Sequence, residues 1–147
     1  MRHISTIAII FAGCVGLHLP FAWAQIGQIK NVAGQVFLLR NNVQQPARAG
    51  DLVEQADVLT TGPNGSIGIT FIDNSRFSAG PNTRIELTQF RFNPTTQEGQ
   101  FRTSMQHGTL SIVSGQAAKR SPEAMKVITP TAILGVRGTT FAVKVDE

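Results

Sequence analysis

The sequence predicts an all-β domain, a single body of many short strands with a twisted, solenoid-like arrangement, or alternatively a β-sandwich or roll. Three observations predict it. Apolar residues alternate with period two, as in Ile67, Ile69 and Phe71 set between Ser66, Gly68 and Thr70. Clusters of Gly, Asn, Asp and Pro interrupt these runs at short intervals, as turns require. After residue 24, no stretch sustains the three-and-four apolar spacing of an amphipathic helix.

The first 24 residues stand apart. Met1-Arg2-His3 opens the chain, an apolar run from Ile4 to Leu19 follows without acid or lysine, and Pro20 ends it. Ala22-Trp23-Ala24 then places small residues one and three positions before Gln25. A basic start, an apolar segment, a helix breaker and an A-x-A site are the ordered parts of a secretory signal peptide, with cleavage expected between Ala24 and Gln25. Two rivals are weaker. An uncut anchor would need about 20 apolar residues, and His18 and Pro20 interrupt that span. A lipid on Cys14 would call for a polar stretch after it, whereas Val15 to Ala24 stays apolar. The expectation is residues 1–24 as signal, residues 25–147 as one domain, and no membrane span after cleavage.

Along the domain, Val36 to Leu39 reads as a strand. Gly50-Asp51-Leu52-Val53 recurs six residues later as Ala56-Asp57-Val58-Leu59, and both aspartates are read as turn acceptors of backbone N–H groups. The Ile67–Phe71 run meets a turn at Asp73-Asn74-Ser75, and Arg76-Phe77-Ser78 begins the next strand. Gly80-Pro81-Asn82 turns again before Ile85, Leu87, Phe90 and Phe92. Residues 93–99 and 114–123 read as polar loops, separated by runs at Phe101 and at Leu110 to Val113. Val127-Ile128 and Phe141 to Val145 complete the set. Gly135 and Gly138 bracket Val136-Arg137 and are read as a structural corner, because glycine suits positive φ or close backbone approach. Arg137 is the candidate partner contact, its planar fork suited to a carboxylate or phosphate.

Composition narrows the function. The domain carries twelve Lys and Arg against nine Asp and Glu, but its cations are scattered along the chain, and export separates it from cytoplasmic nucleic acid, so no nucleic-acid partner is expected. Cys14 lies in the leader, so no disulfide, thiolate nucleophile or thiolate zinc site is available to the domain. The one Trp is Trp23 and there is no Tyr, which disfavours a sugar-stacking platform. His107 is the domain's single histidine. It is read as an exposed turn residue beside Gly108 rather than a triad partner of Asp51 or Asp57. Asp73-Asn74-Ser75 lacks the alternating acids of a calcium loop. Neither metal nor other cofactor is expected, and no enzymatic activity.

Read together, Gly34-Gln35-Val36, Gly50-Asp51, Asp57, Thr60-Thr61-Gly62, Gly65-Ser66, Asp73-Asn74-Ser75, Gly108-Thr109-Leu110 and Gly135-Val136-Arg137-Gly138-Thr139-Thr140-Phe141 resemble the FecR domain from about Gly34 to Val143. The resemblance implies an all-β module that, in its best-known relatives, is the periplasmic part of inner-membrane regulators of extracytoplasmic sigma factors. Here no cytoplasmic helical segment precedes the apolar run, that run looks cleavable, and the sequence stops at Glu147 without the small α/β subdomain of those regulators. The expectation is therefore a free-standing exported form, periplasmic or secreted. Its expected role is a protein-interaction or sensing module with another envelope protein as partner. The alternatives are a structural envelope component and a polysaccharide-binding protein.

Overall fold

The computed structural model describes residues 24–137 and 140–147, so the predicted signal segment up to Trp23, with Cys14, lies outside the described residues, as do Gly138 and Thr139. The first strand, β1, spans Gln25–Ala33 and buries Ile26 and Ile29. A shift in its register between Ile29 and Asn31 lets Val32 also pack against the core. β2, Val36–Arg40, turns Val36 and Leu38 inward. Asn41 and Asn42, at φ 50° and 62°, then join it to the edge strand β3, Val43–Pro46. Two consecutive left-handed residues are the signature of a hairpin turn whose twist matches the strands it links.

β4 (Leu52–Glu54) pairs with β1, and β5 (Val58–Thr61) pairs with β2. β6 (Ser66–Phe71) lies between β1 and β7 (Arg76–Ala79). β8 (Arg84–Phe92) lies between β5 and β9 (Gly99–Val113). A one-turn helix, α1 (Gln116–Arg120), leads into β10 (Met125–Ile128), β11 (Ile133–Gly135) and β12 (Thr140–Val145). All pairs are antiparallel except β9 with β10. The predicted class holds, all-β with many short strands, and the structure sets them in one curled sheet. Of the arrangements open to the sequence, the antiparallel curl corresponds to the roll.

β9 belongs to both halves of the curl. Its first half pairs with β8 on one side and β10 on the other, while its second half pairs with β7 and β12. The change falls at Gly108, whose φ is +105° and where an added Cβ would collide with Thr83. Buried Thr83 holds the bend, accepting the Thr109 N–H at 3.0 Å on its hydroxyl and donating its own N–H to Thr61 Oγ1 at 2.9 Å. The two halves meet over four phenylalanines. Phe71 and Phe77 come from β6 and β7, Phe90 and Phe101 from β8 and β9, with centroid separations of 4.6 to 5.9 Å. Each such pair adds about 0.5–1.5 kcal/mol beyond its burial.

Two local readings are corrected. The segment 114–123, read as a polar loop, contains α1, whose Ala117 and Ala118 are buried. One helical turn is too short to show a 3.6-residue period, so periodicity had nothing to register. His107 lies within β9 rather than in a turn, half-buried, with Nδ1 at 2.6 Å from the Asn82 carbonyl. The left-handed Gly108 is a bend inside a continuous strand, so the glycine that suggests a turn does not end the element.

Candidate functional site

Two corners carry the residues that the sequence singles out. In the first, the six-residue repeat proves to be a repeated turn. Asp51 N donates to Arg48 O and Asp51 Oδ2 accepts the Arg48 N–H; Asp57 N donates to Glu54 O and Asp57 Oδ2 accepts the Glu54 N–H. The third residue of each turn is left-handed, Gly50 at φ 97° and Ala56 at φ 72°. An aspartate closing a tight turn onto a backbone N–H is a local device that needs no ligand.

Among the described residues, only the second turn is joined by a cation from a neighbouring strand. Arg40, at the end of β2, donates through Nε to Asp57 Oδ1 at 2.8 Å and through Nη2 to Asp57 Oδ2 at 2.7 Å. Nη2 also reaches Leu52 O at 2.9 Å, and Nη1 reaches Glu54 Oε1 at 3.0 Å. Asp57 is 1% exposed. Its hydrogen bond holds the Arg40 guanidinium above its usual pKa; burial opposes this, and the charges of Asp57 and Glu54 add to it. The adjoining cleft, about 250 Å³, is bounded by Arg40, Asn41, Asn42 and Glu54. With its guanidinium taken up by two carboxylates and a carbonyl, this corner is built to hold strands together.

The second corner is the Gly135–Arg137 segment, where the chain leaves β11 for β12. Val136 is fully buried, and its N–H donates to Met125 O at 3.0 Å. That anchor turns the next side chain outward: Arg137 is 75% exposed. Among the described residues its contact is one long ion pair, Nη2 to Glu123 Oε1 at 3.5 Å, and Glu123 also faces Lys126 Nζ at 3.4 Å. Gly135 pairs with Lys126, and Lys126 pairs with Arg102 across the parallel strands. Cations far apart in sequence are thus neighbours in space. Nothing in the local sequence around Arg102, Lys126 or Arg40 marks them, because the pairing that joins them is non-local.

Asp73 and Ser75 are fully buried and satisfy one another. The Ser75 N–H donates to Asp73 Oδ1 at 2.9 Å, its hydroxyl donates to Oδ2 at 2.7 Å, and that hydroxyl accepts the Gly115 N–H at 3.0 Å. Among the described residues, no three His, Cys, Asp or Glu side chains converge as metal ligands. Among them, too, no helix is long and apolar enough to cross a membrane.

A family model described as "FecR protein" matches residues 57–147. Among curated proteins, none matches the chain. A solved structure titled "Cell surface anchoring domain" is similar at 27% identity, covering 44% of this chain and 87% of its own, with a TM-score of 0.42.

Proposed function

The chain belongs to the FecR family, and from that premise we propose that it is an exported, non-enzymatic interaction or sensing module of the bacterial envelope, periplasmic or secreted, whose contact surface includes Arg137. The family match over residues 57–147 carries the reading. Three features support its details. The described fold takes up Gln25 as the first residue of β1, the position expected to follow signal cleavage. The buried aspartates are each occupied by structural hydrogen bonds: Asp57, although it borders the cleft beside Arg40, is taken up by Arg40 and the Glu54 N–H, and Asp73 by Ser75. Arg137 stands exposed beside the buried Val136 with, among the described residues, one long, solvated ion pair, which is worth about 0–1 kcal/mol and is readily exchanged for a better-placed anion.

The test is expression of the full chain, fractionation, N-terminal sequencing and capture of partners from envelope extract. The reading expects a mature N-terminus at Gln25 and a saturable, stoichiometric envelope protein in the capture. Bulk association with cell wall and no discrete protein would replace it with a structural role. Turnover of a glycan by the purified protein, abolished by one acid-to-amide change, would replace it with an enzymatic one.

A further inference from the structure

We propose that the open edge of β11, with Lys126, Arg102 and Arg137 beside it, receives an extended acidic segment of a partner polypeptide as an added strand. This rests on the interaction reading above and names the chemistry of the partner.

The backbone makes the first case. The Thr129 N–H donates to Ala132 O at 2.8 Å and the Val136 N–H to Met125 O at 3.0 Å. In an antiparallel pair, alternate residues face the partner strand, so Ala132, Leu134 and Val136 face β10. The N–H and C=O groups of Ile133 and Gly135 therefore face away from β10, toward a side where no strand lies among the described residues. Such unpaired groups are a template for another strand.

Gly135 makes the second. Its φ is outside the left-handed region, and a Cβ built there would meet nothing within 4 Å among the described residues. Among those residues neither the backbone angle nor a close approach calls for a glycine here. Its effect is a gap on the outer face of the sheet, directly between Lys126 and the position an added strand would take, about 4.8 Å beyond β11. The Lys126 side chain is long enough to lean across that gap.

Charge makes the third. Arg102 and Lys126 are direct cross-strand neighbours of like sign, an arrangement that costs a few tenths of a kcal/mol or more unless an anion relieves it. The carboxylate at hand, Glu123, is 69% exposed and shared between Lys126 and Arg137. Two residues from Gly135 on the same face, Ile133 is 70% exposed and pairs with Ile128. The incoming strand accordingly needs a carboxylate level with Gly135 and an apolar side chain level with Ile133. An anionic membrane surface fits less well. It cannot pair the backbone of Ile133 and Gly135, and Glu86 shares this face, in register with Ser104 and through it with Ile128.

The experiment uses the protein purified from cells expressing the full chain and a short labelled peptide alternating Thr with Val and Glu, read by fluorescence anisotropy. Binding is expected, and both Gly135→Pro, which removes an outward N–H without touching the β10 bonds, and Lys126→Glu should weaken it by about tenfold or more. Arg48→Glu, the same charge change in the turn before β4, should leave it unchanged. Melting temperature shows that each variant is folded, and Lys126→Glu decides alone if Gly135→Pro is not. Equal binding of a peptide with Lys in place of Glu, equal loss with Arg48→Glu, or capture by anionic phospholipid vesicles but not by the peptide would overturn the proposal. A discrete envelope partner whose binding ignores Gly135→Pro and Lys126→Glu would overturn this edge and leave the interaction reading standing. No partner and no peptide binding would sink both.

Discussion

Arg40 and Arg137 sit at corresponding moments of the chain, each at or just past the end of a strand, and each faces acidic side chains. Arg40 makes a two-pronged contact with an aspartate that is 1% exposed, plus bonds to Glu54 and Leu52. Among the described residues, Arg137 makes one contact at 3.5 Å to a glutamate that water also reaches. The difference lies in what stands beneath each. Under Arg40, two turns with the same Asp-to-backbone bond bring Asp57 to the end of β2. Under Arg137, a buried valine fixes the backbone and leaves the side chain outside. An arginine whose donors are taken up belongs to the fold; one that is exposed, with a single long ion pair among the described residues, belongs to the surface.

The contrast can be broken from its closed side first. Asp57→Ala leaves Arg40 without its main partner and the Glu54 N–H without its acceptor. The expected loss is about 2–3 kcal/mol in urea unfolding, below that of a fully buried pair because Arg40 still reaches solvent. A loss no larger than that of a surface residue would place Arg40 with Arg137. Ser75→Ala removes a hydroxyl that serves both Asp73 and Gly115. It should cost about 2 kcal/mol by the same measurement, since it strands part of a buried carboxylate.

Two smaller effects sharpen the comparison. Ala56 holds the left-handed position that Gly50 fills in the sister turn. Ala56→Gly should therefore raise stability by about 0.5 kcal/mol, relief of strain exceeding the entropy gained by the unfolded chain. A decrease would mean that the two turns are not equivalent. Arg137→Ala should leave the melting temperature nearly unmoved, within about 0.5 kcal/mol of stability, while weakening partner capture. A large stability loss without any effect on capture would make Arg137 a structural residue.

Much of the fold was legible because its signals are local. The Ile67–Phe71 alternation, the Asp73-Asn74-Ser75 turn and the paired Gly50-Asp51 and Ala56-Asp57 motifs each declare a strand or a corner within a few residues. α1 was hidden because one turn has no period. The bend at Gly108 reads as a strand end from the sequence because glycine signals both, and the Thr83 contacts that hold the bend come from well upstream. At the candidate site, the Gly-Val-Arg segment drew attention to Arg137, but not to Arg102 and Lys126. Their adjacency depends on the parallel pairing of β9 with β10, and no sequence window contains both. Two of the cations that read as scattered along the chain, Arg102 and Lys126, are brought together by sheet register.

The most direct test places a photo-crosslinking residue at position 137, and separately at position 41 in the Arg40 corner, in cells exporting the full chain. A discrete envelope adduct from position 137 and none from position 41 is the predicted result. An adduct from position 41 alone, or none from position 137, would contradict the assignment of the second corner as the working surface.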